Sequence, residues 1–226
     1  MRKVRFITPT VLFIVIIFTL LISFSCHQPA APDHRISSSN VLALLQEGNK
    51  RFHSHQMQHP HTNKQWMSTV SREQHPEAII VCCSDSRVCP ELVFDQGLGD
   101  LFVIRSAGNI ISPVELGSIE YGVEHLGVHL IIIMGHERCG AIEAFANGEL
   151  PHGYIKTLID TLKNESEIKQ IHDKSHFIEN CVKANVLHMM HLVEADAELQ
   201  KKIERKEVNI AGAVYNMDNG KVEFLQ

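Results

Sequence analysis

The stretch VCCSDSRVCP, residues 81–90, puts Cys82, Cys83, Cys89, Asp85 and Arg87 within ten positions, and HERCG, residues 136–140, adds His136 and Cys139 at i, i+3. Thiolate and imidazole groups at such spacing are metal ligands, and two sulfurs with one imidazole suit Zn²⁺. Three ligands leave a tetrahedral shell open, so the fourth position is left for water or another side chain. Other uses of the thiols fit less well. A disulfide framework belongs to small, cysteine-dense domains, and six cysteines spread over 226 residues do not make one. The chain has no Cys-x-x-Cys pair, and a vicinal Cys82–Cys83 bridge would strain the backbone. Cys89 and Cys181 read as small buried hydrophobes.

Ligands so far apart in sequence need rigid elements to bring them together. AIIVCC (78–83), LFVIRS (101–106) and HLIIIMG (129–135) are short, β-rich apolar runs, as expected of strands buried on both faces of a parallel sheet. Helical stretches lie between and after them: PVELGSIEYGVEHLG, GAIEAFANG and a long region over about 175–206. VNIAGAVYNM reads as the last long strand, turning at Asp218-Asn219-Gly220 into KVEFLQ as a hairpin. The fold class is therefore α/β, a mostly parallel central sheet flanked by helices, with an amino-terminal helical arm and a carboxy-terminal β-hairpin. In such a sheet the carboxyl ends of the strands open on one crevice, so the ends of AIIVCC and HLIIIMG can deliver side chains to one point. Cys139 then lies near a helix amino terminus, which favours thiolate over thiol. Residues 83, 85 and 87 share one strand face and Cys82 the other, so Cys83 is the ligand if Asp85 and Arg87 belong to the site. A strand that ends near Cys83 would break this alternation, and the choice between the two cysteines stays open on geometry alone.

The amino terminus is a targeting segment. MRKVR is basic, FITPTVLFIVIIFTLLISFS is apolar and uncharged, and Ser23-Phe24-Ser25 is a small-x-small cleavage signature before Cys26. Residues 1–25 are read as a signal peptide or a retained anchor, since the apolar run approaches the ~20 residues that cross a bilayer. Export to the periplasm or envelope follows, with Cys26 a candidate lipid anchor although Ser23 and Phe24 fit that recognition pattern poorly. Residues 26–39 are a Pro, Ser and Ala-rich linker, and 40–226 form one catalytic domain whose first helix, VLALLQEGNKRF, is capped by Ser39 or Asn40. The formal net charge is −5, and past the first 25 residues 18 bases face 26 acids, so nothing attracts nucleic acid. His53, His55, His59 and His61 form either a metal-scavenging tract or a solvated loop, and the loop is the reading preferred.

CSDSR (83–87) followed by HERCG (136–140) resembles the paired signatures of β-class carbonic anhydrases. The likeness continues through FDQGLGDLFVIRSAGN, GSIEYGVEHLGV and GAVYNMDNG. The resemblance implies one Zn²⁺ per chain on Cys83, His136 and Cys139, and an active-site dyad of Asp85 and Arg87. It also implies a second role for Asp85, swinging onto zinc as a fourth ligand at lower pH. A subgroup of the family binds inhibitory bicarbonate through a Trp, an Arg and a Tyr. The Arg105 and Tyr215 positions match, but Ile80 stands where the Trp would be, which puts that regulation in doubt. The family further implies a homodimer or higher homo-oligomer, with amino-terminal helices embracing the partner and substrate pockets at the interface.

The function expected is reversible hydration of CO₂ to bicarbonate and a proton. A three-ligand zinc lowers the pKa of its bound water to ~7, supplying hydroxide for attack on carbon. Asp85 would accept a hydrogen bond and orient that hydroxide, while Arg87 keeps Asp85 ionised. An ordinary surface ion pair is the plain account of the two. Gly140 fits either a close backbone approach to the metal or a helix-packing contact. A related zinc hydrolase acting on CS₂ or COS and a non-catalytic zinc-binding domain are the competing readings. The targeting segment makes its own prediction: mass spectrometry of the native protein should find a mature chain beginning near Cys26, and an intact Met1 in a soluble cytosolic fraction would contradict export.

Overall fold

A computed structural model of the chain describes residues 37–172 and 175–225. The targeting segment, Cys26 and the linker up to residue 36 lie outside the described residues. The first helix, α1 (Ser38–His53), begins three residues before the expected VLALLQEGNKRF. Ser37 is its cap, accepting the amide of Asn40 at 3.4 Å. There follow α2 (Lys64–Val70), β1 (Ala78–Cys83), α3 (Pro90–Val93), β2 (Leu101–Ser106), a short 3₁₀ turn (Ala107–Asn109), α4 (Pro113–Glu124) and β3 (Leu130–His136). Then come α5 (Gly140–Ala146), α6 (Ile155–Asn164), α7 (Ser166–Lys169), α8 (Phe177–Glu194), α9 (Ala197–Glu204), β4 (Asn209–Tyr215) and β5 (Val222–Phe224). The long helical region expected at the carboxy terminus is two helices. Asp196 stops the first and caps the second, accepting the amides of Glu198 and Leu199.

The sheet order is β2-β1-β3-β4-β5, parallel except for the antiparallel β4–β5 hairpin. Strand alternation divides the apolar side chains between two cores. Ile79, Val81, Cys83, Ile131 and Ile133 face α4 to α9, where Ile119, Ile142, Ile159 and Val186 meet them. Ala78, Ile80, Cys82, Ile132 and Met134 face α1 and α3, where Val41, Leu45, Val93 and Phe94 cover them. β1 and β3 are buried at every position, whereas β2 is only partly buried. The expectation that LFVIRS is enclosed on both faces is thus corrected. β2 is the edge of the sheet, and its neighbour on one side is β1 alone.

The histidine-rich stretch after α1 is a largely exposed loop, as preferred, but it is fastened to its neighbours. His61 Nδ1 meets the Asp100 carboxylate at 2.7 Å and its ring stacks on Trp66 at 3.7 Å. The buried Asp95 carboxylate accepts the amides of Gln58 and His59 and the guanidinium of Arg51. These contacts fasten the stretch to the loop after α3.

One buried acid stands apart from the site. Glu165, between α6 and α7, is 1% exposed, and neither carboxylate oxygen has a hydrogen-bond partner among the described residues. Burial, aided by the nearby Glu167 charge, pushes it up to about 8. Glu167 is itself partly desolvated, yet hydrogen bonds from Ser166, His191 and His188 hold it down at about 2. The folded chain therefore keeps the Glu165 proton between about 4.5 and 8, where the unfolded chain has released it, so this group's contribution falls as pH rises through that window. Glu167 acts in the opposite sense, its contribution being present above about 4.5 and lost as pH falls toward 2. Glu165→Gln should remove the first effect alone. Its melting temperature relative to wild type should rise from about pH 5 to about pH 8 in zinc-replete buffer. An offset that stays constant over that range contradicts a buried, proton-holding Glu165.

Candidate metal centre

Cys83 is the last residue of β1 and His136 the last of β3, and these two strands are parallel neighbours in register at Cys82↔Met134. Cys139 caps α5 three residues later, so both strand ends and a helix start meet at one point. The two Sγ atoms and an imidazole nitrogen all lie within 4.8 Å of one another, and all three residues are buried. Cys82 points the opposite way, into the core beneath α1 and α3, where burial raises its thiol to about 12.

The imidazole is prepared for a cation. His136 Nδ1 lies 2.9 Å from the Glu137 carbonyl oxygen, which can only accept, so Nδ1 carries the proton and Nε2 presents its lone pair. Nε2 is buried and has no hydrogen-bond partner among the described residues. Leaving such an atom unpaired costs about 1–3 kcal/mol. A metal beside the two sulfurs removes that cost, and the S₂N donor set fits zinc.

The sulfurs are electrostatically unequal. A hydrogen bond from Cys139 is the main influence lowering the Cys83 thiol, assisted by the amides of Asp85 and Gly108, the latter donating to Sγ at 3.3 Å. Cys139 keeps the shared proton and is pushed up by Cys83 and by burial, although the amides of Ala141 and Ile142 at the start of α5 oppose this. One thiolate is therefore available without a cation, and a dication would displace the second proton.

Asp85 reaches the site by a turn, which corrects the strand-face argument, because β1 ends at Cys83. Its carbonyl accepts the Val88 amide at 3.0 Å, and its Oδ1 accepts the Arg87 amide at 2.9 Å. The Arg87 side chain then grips both carboxylate oxygens, Nε to Oδ1 at 2.9 Å and Nη2 to Oδ2 at 2.7 Å. These bonds hold Asp85 well below the usual carboxylate range. Oδ2 is 4.0 Å from His136 Nε2. Asp85 thus lies beside the three-residue cluster, in the dyad expected with Arg87, and outside the group of three ligands.

Several supporting residues carry no signal in a search for ligands. Gly108 follows β2 with φ +70°, and a Cβ there would come within 3.1 Å of the Ala141 Cβ, so the amide that reaches Cys83 belongs to a position suited to glycine. The buried Asn185 on α8 donates to the Gly108 carbonyl at 2.8 Å. Glu137 accepts Asn216 Nδ2 at 2.9 Å and the Met217 amide at 3.2 Å, tying the His136–Cys139 turn to the end of β4. Gly140 makes no helix-packing contact that requires a glycine, for a Cβ there would meet no protein atom within 4 Å. Cys181 is buried as expected, but Cys89 is only half-buried, with its Sγ 3.5 Å from Glu91. Ile80 is fully buried in the same core as Tyr215.

Comparison with known proteins agrees with this geometry. The family model described as carbonic anhydrase matches residues 78–222, a span that contains every residue of the cluster and the dyad. Carbonic anhydrase 2 of Mycobacterium tuberculosis is 35% identical over 182 residues, covering 78% of this chain and 87% of the relative. The carbonic anhydrase of Mycolicibacterium smegmatis is 34% identical over 201 residues, covering 83% and 94%. The solved β-carbonic anhydrase CcaA superposes with a TM-score of 0.66 at 29% identity, covering 83% of this chain and 88% of that one. With its parallel sheet, its Cys83–His136–Cys139 cluster and these relatives, the chain belongs to the β-class carbonic anhydrases.

Proposed function

We propose that the chain hydrates CO₂ reversibly to bicarbonate and a proton at one zinc held by Cys83, His136 and Cys139, with Asp85 and Arg87 as the catalytic dyad. The observation that carries this reading is the buried, unpartnered His136 Nε2 facing two sulfurs beside the Asp85–Arg87 pair. Zinc, when bound, supplies a Lewis-acidic centre that makes coordinated water acidic near neutral pH. The rest is done by side chains. His136 is held in one tautomer by the Glu137 carbonyl, and the Gly108 amide stabilises the Cys83 thiolate. Arg87 keeps Asp85 ionised, and a carboxylate can only accept, so Asp85 fixes the direction in which a neighbouring proton points and thereby aims the oxygen lone pair at carbon. The doubly gripped carboxylate favours this orienting role over ligation by Asp85.

The finer parts of the reading rest on other features. A second copy of the chain is proposed to cover the groove of about 400 Å³ lined by Ile111, Pro113, Leu116 and Leu192, beside which Val114 is 76% exposed. Such an apolar face suits a homo-oligomeric interface. The basic start and apolar run of residues 1–25 support export to the periplasm or envelope, through a cleaved signal, a retained anchor or a lipidated Cys26. Residues 40–226 are then the catalytic domain behind a 26–39 linker.

Metal analysis tests the ligands. Cys83→Ser, His136→Ala and Cys139→Ser should each emerge from mild chelation depleted of zinc, whereas Cys82→Ser should keep one zinc per chain. Full zinc in Cys83→Ser would overturn the choice between the adjacent cysteines. Stopped-flow CO₂ hydration tests the dyad. Asp85→Asn should retain zinc but lose about 10²-fold in kcat, since the amide no longer imposes one proton direction. Sulfide release from CS₂ and COS, measured in parallel, should stay low, and a Asp85→Asn variant as active as wild type would remove Asp85 from the mechanism.

A further inference from the structure

Arg105 lies near the end of the edge strand β2, opposite Cys82 in the ladder. Its guanidinium reaches over the end of β1. Nε donates to the Cys83 carbonyl at 3.2 Å, and Nη2 donates to the carbonyls of Asp85 and Val88, each at 2.8 Å. All three recorded hydrogen bonds go to backbone oxygens of one short arm, the segment that joins the metal ligand Cys83 to the dyad.

That arm has little else to hold it. Between the buried Cys83 and the buried Val88, Ser84, Ser86 and Arg87 are exposed and Asp85 is half-buried, so no apolar side chain anchors it. Its other backbone fastenings are the Ser84 amide on the Ser106 carbonyl and the Val88 amide on the Asp85 carbonyl, both at 3.0 Å, the Arg87 amide on the Asp85 carboxylate, and the Asp85 amide facing the Cys83 sulfur. Arg87 fixes the Asp85 carboxylate relative to Arg87, but a pair two residues apart can still move as a unit. Contacts from other elements fix that unit relative to the metal ligands, and among the described residues a 3.3 Å bond from Arg87 Nη2 to the Arg138 carbonyl is the other side-chain hydrogen bond that does so.

We propose that Arg105 is a positioning residue for CO₂ hydration: its planar fork clamps the Cys83, Asp85 and Val88 carbonyls and so sets the distance between the Asp85 carboxylate and the metal ligands. Arg suits this task because its donors diverge at fixed angles and remain charged at every working pH. The same arrangement argues against the anion-binding role that the resemblance attaches to this position. The Nε–Nη2 edge, one of the two that could meet an oxyanion in bidentate fashion, is already filled by carbonyls, and Ile80 and Tyr215 are packed in the core. Orientation is sensitive to such support, for a misplacement of about 1 Å can cost about 10²-fold in rate.

The experiment combines hydrogen exchange with kinetics on the purified chain, with and without zinc. Arg105→Met keeps the aliphatic stem and deletes every donor. Arg105→Lys keeps the charge and can reach one carbonyl at a time. Arg105→Met should retain its zinc, exchange the amides of residues 84–88 at least about tenfold faster than wild type, and lose about 10–100-fold in kcat with little change in KM. Arg105→Lys should fall between the two, which also serves if the Met variant folds poorly. This proposal rests in part on the assignment of Asp85, so Arg105→Met is also made in the Asp85→Asn background, where it should cost little more. Unchanged exchange at 84–88, or losses that multiply in the double variant, would overturn the clamp, as would cooperative bicarbonate inhibition in wild type that Arg105→Met abolishes. An Asp85→Asn variant with full activity would instead sink the Asp85 reading, and the exchange rates would still decide whether Arg105 holds the arm.

Discussion

The metal cluster depends on the parallel pairing of β1 with β3. Neighbouring strands lie about 4.8 Å apart, which is the scale on which the two sulfurs and the imidazole nitrogen gather. Parallel strands end on the same side of the sheet, so Cys83 and His136 emerge together without either loop having to travel. Register matters as much as direction. A slip of one residue in β1 would exchange its faces, burying Cys83 under α1 and α3 and presenting Cys82 to the crevice. The two cores prevent this, because Ile79 and Val81 pack on one side while Ala78, Ile80 and Cys82 pack on the other. The same apolar residues that stabilise the sheet therefore select which cysteine joins the cluster able to hold a metal ion.

The site and the rest of the interior treat buried ionisable groups differently. Glu165 is buried with no partner and responds by holding its proton. Cys83 is also buried, yet its thiol is lowered, because the Cys139 thiol and the amides of Asp85 and Gly108 face it. Desolvation acts on both in the same sense, and the difference lies in the donors supplied. Those donors come from three separate places: the turn after β1, the turn after β2 and the start of α5. Removing one of these donors would raise the Cys83 thiol.

Much of this was legible from the amino acids. AIIVCC and LFVIRS are strands at the residues expected, and HLIIIMG is displaced by only one residue, since continuous β-branched runs bounded by polar residues leave few alternatives. Cys83, His136, Cys139 and the Asp85–Arg87 dyad stand out because chemistry needs those residue types. What stayed hidden were parts whose role depends on distant backbone. Gly108 and Asn185 act through an amide and a carbonyl, which no side-chain pattern reports. The edge position of β2 is set by strand order, and an apolar run looks the same at an edge as at the centre. The short α6 and α7 follow a loop of mixed polarity, and the burial of Glu165 between them reverses the usual expectation for a charged residue.

The functional groups divide between rigid and exposed supports for a physical reason. Metal ligands need fixed separations, and strand ends in a doubly covered sheet provide them. Asp85, proposed to orient the reacting oxygen, stands on an arm that is exposed and is not buried under apolar side chains. An exposed arm without apolar anchors would open locally at little free-energy cost. Polar fastening is the remaining way to hold it, and hydrogen bonds from a charged donor are about twice as strong as neutral ones. Placing that donor on β2, directly beside β1, ties the arm to the same sheet that fixes Cys83 and His136. Errors in the position of Asp85 and in the positions of the metal ligands are then referred to one rigid frame.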